Sequence, residues 1–552
     1  MENQRLLLVL ALGFVSFLIW EAWIGEHTPK PAPAPTVAAA PAEAGSAPRD
    51  VPVAPEAPPP PGAARQGSVL PEGTRIHVQT DVYDIELDTT GGDLRHVGLR
   101  RYPESVQHKD IPFVLMRDSG GEVFVAQSGL RASSGSAPDH YAVFQADKTD
   151  YTLADGQDQL NVQLHWTGPD GVKVTKTYTF HRGSYVIDLT QTVDNTSAEE
   201  WRGVAYQQLQ RQAPASKGSH IGSTYTYTGG VLSTAEKNYE KLSFDDMTKT
   251  PLDRTVTGGW AAMIQHYFVG ALVPDQTQTG TYYSLAAGNE RFVLGRSGPL
   301  TTVPAGGSTT FSSKLYVGPK LQDVMAKVAP HLELTVDYGK LTIIAEPLFW
   351  ALRHIHSLLG NWGWSIIILT VLIKAAFYKL SETSYRSMAN MRKLAPKLQS
   401  LKERYGDDKQ KLNQAMMEMY RTEKVNPLGG CLPIVVQIPV FIALYWMLLE
   451  SVELRQAPFM GWIVDLSQQD PYYVLPLIMG VTMFIQQKLS PAPPDPMQAK
   501  IMMAMPIIFT FMFLWFPSGL VLYWVVNNTL SITQQYIITR RIEAGEQKKA
   551  AA

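Results

Sequence analysis

The order of hydrophobic and polar positions divides this chain into blocks of different period. Leu6 to Trp20 is a continuous apolar run behind Arg5. From about Thr74 to Val317 apolar residues recur at every second position and are interrupted by turn signals, which predicts strands. Ile85 and Leu87 precede Thr90-Gly91-Gly92-Asp93, and Leu160, Val162, Leu164 and Trp166 precede Gly168-Pro169-Asp170-Gly171. Tyr185, Ile187 and Leu189 follow His181-Arg182-Gly183-Ser184. Many strands at this spacing predict one large antiparallel β-sandwich. Lys320 to Leu332 then reads as a short helix. Pro347 to Leu359 reads as an amphipathic one, with Leu348, Phe349, Leu352, Ile355, Leu358 and Leu359 on its apolar face. That pattern suits a helix lying in a membrane interface, and packing on a protein core is the competing reading.

The last two hundred residues carry five apolar stretches of membrane-span character: Trp362 to Tyr378, Leu428 to Leu449, Tyr472 to Leu489, Ile501 to Phe516 and Leu520 to Ile538. The bulky sequence Glu21-Ala22-Trp23-Ile24-Gly25 leaves no clean small-residue cleavage site, which favours a retained anchor at Leu6 to Ile24 over a cleaved signal. Six crossings return both termini to one side. Lys379 to Pro427 holds 11 Lys or Arg against 6 Asp or Glu, and Arg540, Arg541, Lys548 and Lys549 follow in the tail. Ser451 to Asp470 offers only Arg455 against Glu453, Asp465 and Asp470. The positive-inside rule therefore places Lys379 to Pro427 and both termini in the cytoplasm, and the β domain outside it.

Composition refines this layout. Proline and alanine fill 25 of the 44 positions from Thr28 to Pro71, which reads as an extended spacer. The basic segment reads as two helices, Thr383 to Tyr405 and Asp408 to Lys424, joined at Gly406-Asp407. It shares in a methionine enrichment, 14 of 19 lying beyond residue 380. The single cysteine, Cys431, excludes an intramolecular disulfide framework. No metal-spaced cluster, phosphate loop or hydrolase motif is present, so neither an enzyme nor a nucleotide-driven machine is expected, and no cofactor.

Lys374 is the position that asks for a function. It lies in an apolar stretch, about 18 Å along the axis from Trp362, and a charge at that depth costs several kcal/mol unless it faces a bundle interior or a wet cavity. Thr370 and Tyr378 fall one turn away on either side, sharing its face. Snorkelling to the cytoplasmic surface is the alternative. Neighbouring stretches favour a shared polar cavity. Trp524, Asn528, Ser531 and Gln535 form one stripe, Gln437 lies between Pro433 and Pro439, and Thr482 aligns with Gln486 beside Gln487.

The strings VDYGKL, PLFW, GNWGW, LKERYGDDKQKLNQ, YRTEKVNPLGGCLPIVVQIPVFIALYWML, SVELRQAPF, DPYYVLP and FLWFPSGLVLYWVVNN resemble the YidC/Oxa/Alb insertase family in its Gram-negative form, densely from Val336 onward. The resemblance implies an α-helical inner-membrane protein with six transmembrane helices, five of them a core. A periplasmic β-supersandwich and a cytoplasmic helical hairpin complete it. The implied task is insertion and folding of nascent membrane proteins through a hydrophilic groove, alone or with the Sec translocon. The implied partners are the ribosome, Sec components and the phospholipid bilayer, with no nucleotide. Groove positions carry over to Lys374, where the family pattern has arginine, and to Thr370, Gln437, Gln487, Tyr523, Trp524 and Asn528.

The expected division is anchor 1–27, linker 28–73, β domain 74–332, interfacial helix 333–361, second span 362–382, hairpin 383–427, spans three to six 428–538 and basic tail 539–552. A secondary transporter with Lys374 as proton or anion site is the runner-up, although no paired repeat is visible. A carbohydrate-active enzyme on an anchor would need only one span.

Overall fold

A computed structural model describes residues 70–119, 122–214, 226–288, 290–406, 408–423, 432–490 and 496–550. The expected anchor, nearly all of the Pro/Ala linker and Cys431 lie outside the described residues.

Among the described residues the alternating block folds as two sheets, of eleven and nine strands, that share one hydrophobic core. Alternation places the residues directly: along Val172–His181, Val172, Val174, Tyr178 and Phe180 are buried while their neighbours face outward. Lys176 falls on the buried face by the same parity, and its ammonium donates to the carbonyls of Gly91 and Ser128. Burial lowers it to about 8. The sandwich is not wholly antiparallel as expected. Arg75–Gln79 pairs antiparallel with Tyr83–Asp88 on one side and parallel with Asp150–Thr152 on the other. The last strand reaches that edge after a long excursion through the sheets, and a hairpin turn does not dictate its direction.

Two short helices belong to this domain, α1 (Phe244–Lys249) and α2 (Gln322–Val328). The second is shorter than the reading Lys320 to Leu332, because the chain after it closes into a separate 3-10 turn, Leu332–Thr335. Nine helices follow among the described residues: α3 (Thr342–Leu359), α4 (Trp362–Ala376), α5 (Tyr378–Lys393), α6 (Ala395–Tyr405), α7 (Lys409–Thr422), α8 (Leu432–Glu450), α9 (Val474–Leu489), α10 (Pro496–Phe513) and α11 (Ser518–Ala550).

α3 begins before Pro347 and buries Ala345, Phe349 and Leu352. Leu358 and Leu359, assigned to the same apolar face, are exposed, so the packed stripe stops a turn before the helix does. α4 is capped by Asn361, whose side chain accepts from the Trp364 backbone N–H. α4 and α5 meet at a 66° bend. Tyr378 therefore opens a new helix and does not share the Lys374 face. The first hairpin arm is also broken, at Leu394, so the basic segment is three helices, α5 to α7, where two were expected.

Among the described residues no single helix is long and apolar enough to cross a membrane; the bent pair α4–α5 passes together, and parts of α8, α9 and α10 are shorter apolar helices. The outward faces of these helices are nonetheless apolar: Val371 and Leu372 on α4, Leu477 and Val481 on α9, Ile507 and Phe511 on α10 are all exposed. Exposed apolar residues gathered on one side of a helical bundle mark an interaction surface.

The sheets and the helices are joined at the end of α8 and the segment after it. His266 Nε2 lies 2.9 Å from the Leu449 carbonyl, Lys320 pairs with Glu450 at 3.7 Å with both side chains buried, and Arg455 donates to the Pro103 carbonyl at 2.8 Å.

Candidate functional site

Beneath the apolar exterior, α4, α5, α8 and α11 converge on a polar cluster. Lys374 is near the end of α4, and its Nζ donates to Ser531 Oγ on α11 at 2.8 Å. The side chain is half-buried, and this bond directs its ammonium toward α11. Ser531, itself buried, donates to the Asn527 carbonyl one turn earlier at 2.8 Å. Tyr385 of α5 lies beside the same serine. The Asn527 side chain accepts from Gln437 Nε2 of α8 at 2.8 Å, while the nearby Tyr523 hydroxyl is buried with no hydrogen-bond partner among the described residues.

The ammonium has three donors, and among the described residues only the serine hydroxyl is bonded to it and no carboxylate pairs with it. An uncompensated charge in a low-dielectric setting attracts any acidic or strongly dipolar group that reaches it. The cluster can therefore receive an anion or a polar peptide segment. It holds no nucleophile–base pair, and among the described residues no group of His, Cys, Asp and Glu is placed to hold a metal.

The other expected positions divide. Trp524 packs edge-on against Phe441 at 4.8 Å and Phe513 at 5.7 Å, beside the cluster, and its indole N–H is buried with no hydrogen-bond partner among the described residues. Thr370 shares the Lys374 face and is buried, but its hydroxyl donates to the Ile366 carbonyl of its own helix, so it adds little polarity. Asn528 turns to α9, where Nδ2 reaches Thr482 Oγ1 at 3.4 Å. Gln487 is half-buried on α9 and has no hydrogen bond to the cluster among the described residues. Gln535, from the same stripe as Asn528, bonds the Leu489 carbonyl at 2.9 Å. The stripe on α11 thus serves two partners. Sequence reading missed Asn527, which lies off the stripe spacing, and Tyr385, which lies past a bend that periodicity does not reveal.

Residues 75–351 match the family model described as the YidC periplasmic domain, and residues 354–547 match that of the 60Kd inner membrane protein. The membrane protein insertase YidC of Methylococcus capsulatus is 53% identical over 550 residues, covering 98% of this chain and 99% of that one. The protein of the same name from Nitrosococcus oceani is 54% identical with the same coverage. This chain belongs to the YidC membrane protein insertase family. A solved YidC insertase aligns over 84% of this chain and 93% of that chain, at 16% identity and a TM-score of 0.37, which adds nothing to the sequence match. In the YidC frame the two sheets are the periplasmic domain, and the Lys374 cluster falls inside the inner membrane protein segment. The family is one of membrane insertases, not of classical enzymes.

Proposed function

We propose that this protein inserts nascent proteins into the bacterial inner membrane, with the Lys374 cluster as the receiving site. The observation that carries the reading is a lysine ammonium inside an apolar helical bundle, held by one neutral hydroxyl and by no carboxylate among the described residues. Family membership supports it, as does the apolar exterior of the helices around the cluster.

In this reading α4 and α8 to α11 are the five core spans, Leu6 to Ile24 is a sixth, both termini are cytoplasmic, and α5 to α7 form the cytoplasmic hairpin. Lys374, Gln437, Tyr523 and Trp524 line a groove open to the cytoplasm; Thr370, Asn528 and Gln487 shape its walls. The ammonium draws the polar or acidic flank of a substrate part-way into the bilayer, which shortens the hydrophobic distance that flank must cross. The substrate's apolar segment then leaves water with a gain of about 25 cal/mol per Å². No step requires nucleotide hydrolysis. The partners are the nascent chain, the ribosome, Sec components and the lipid bilayer.

The test is insertion of a small single-span substrate into liposomes containing the purified protein. Lys374→Ala is expected to lower insertion about tenfold or more, the effect of roughly 1.4 kcal/mol, and Lys374→Arg to preserve it. Full insertion by Lys374→Ala would remove the receiving role of this residue.

A further inference from the structure

A cavity of about 690 Å³ opens where the β domain, α2, the start of α4 and the segment after α8 meet. That volume is within the range of small-molecule sites. Its walls bring together residues far apart in sequence, among them Lys109 and Tyr185 from the β domain, Trp362 from α4, and Glu453 and Arg455 from the segment after α8.

Its electrostatics are unresolved internally. Arg455 is fixed by the Pro103 and Glu104 carbonyls, at 2.8 and 3.1 Å, and lies over the rings of Phe113 and Phe268. Among the described residues neither it nor Lys109 has a carboxylate within ion-pair distance, Asp465 acting on Arg455 from beyond it. Glu453 likewise has no cation within ion-pair distance there; the Arg353 guanidinium acts on it only from farther off, and burial pushes its carboxyl up to about 7. The Tyr185 hydroxyl is buried with no hydrogen-bond partner among the described residues. Gln456, in the same wall, is held at φ 56, a left-handed conformation costly for a residue with a side chain. Its backbone N–H donates to Asp465 and its side chain to the Pro103 carbonyl.

A simple anion would meet Glu453, and a simple cation would meet Arg455, Lys109 and Arg101, the last already paired with Asp81. Because Arg455 is held by its carbonyls and rings, it does not swing to neutralise Glu453. A ligand with both signs a short linker apart satisfies both groups. We propose that this cavity binds a zwitterionic aminoalkyl phosphate, with the phosphate on Arg455, Lys109 and Tyr185 and the ammonium on Glu453. Arginine and lysine suit phosphate oxygens. Trp362 opens the helix read above as a span, so on that reading the cavity lies at the outer bilayer surface, where such a group is carried as a phospholipid headgroup.

The test is calorimetric binding to the purified full-length protein in a non-lipid detergent. The probes are dihexanoyl phosphatidylethanolamine, dihexanoyl phosphatidylglycerol and free O-phosphoethanolamine. The ethanolamine lipid is expected to bind at least tenfold more tightly than the glycerol lipid, and Glu453→Gln and Lys109→Gln each to weaken it about tenfold without lowering the melting temperature. Free O-phosphoethanolamine binding as well as the lipid would assign the site to a soluble aminophosphate; binding of the lipid alone would assign it to a headgroup. Equal binding by wild type and both variants, or preference for the glycerol lipid, overturns the proposal. Binding is read without insertion, so a protein that binds the probe but inserts nothing would remove the insertase reading and leave this one.

Discussion

Lys374 and His266 show how a single side chain acquires its meaning from what surrounds it. Lys374 has a serine hydroxyl and apolar helices, so its charge stays available. His266 has the Leu449 carbonyl as its acceptor and a stacked Tyr267 ring at 3.7 Å. Burial lowers its imidazole from the ordinary 6.5 to about 4. The unfolded chain thus takes up this proton at a higher pH than the folded one does. Stability is full above about 6.5 and is lost as pH falls from there toward 4. Chemical unfolding of the full-length protein at several pH values between 7.5 and 5 should show this loss. His266→Gln, which keeps a donor for Leu449 but does not titrate, should lose less over the same range. Equal pH dependence in the two proteins would mean that His266 does not report the contact.

At the scale of elements, small residues and breaks set the packing. Gly480 of α9 faces Thr510 of α10 so closely that a Cβ there would collide with the threonine hydroxyl, itself bonded to the Pro506 carbonyl at 2.7 Å. Close approach of helices at small residues is a common way for apolar helices to associate. Gly480→Leu should force α9 and α10 apart and cost about 1–3 kcal/mol, read as a lower melting temperature of the purified protein. Adding Thr510→Gly should restore part of it. A single variant that melts with the wild type would show that the two helices are not in contact there. The 66° bend between α4 and α5 has the opposite use. Without it Tyr385 would continue along the α4 axis and would not reach Ser531.

For the whole molecule, the periplasmic sheets and the helical segment share a continuous apolar core and a few polar contacts around the end of α8. The pair Lys320–Glu450 is buried, and removing one partner of such a pair leaves the other charge stranded. Removing residues 75–317 keeps Lys320 and Glu450 but takes away His266, Pro103 and Glu104, so Leu449 and Arg455 lose their partners. The shortened protein is expected to insert a single-span substrate at a reduced level and to melt at a lower temperature than the full chain. Complete loss of insertion in a shortened protein that still melts cooperatively would place the receiving site in the sheets.

The sequence by itself determined the blocks: a period-two domain, a run of apolar helices, and a lysine where lipid or a bundle must surround it. These follow from local rules, because side-chain parity in a strand and the spacing of a helix are set within each element. The motifs after Val336 carry the family resemblance independently of any tertiary contact. Tertiary structure decided which faces meet. It joined Lys374 to Ser531, and Gln437 to Asn527, because α4, α8 and α11 cross there. It turned Asn528 toward α9 and used up the Thr370 hydroxyl within its own helix. It also formed the Glu453–Arg455 cavity from segments some 350 positions apart in the chain, a meeting that periodicity cannot encode because it depends on how whole elements dock.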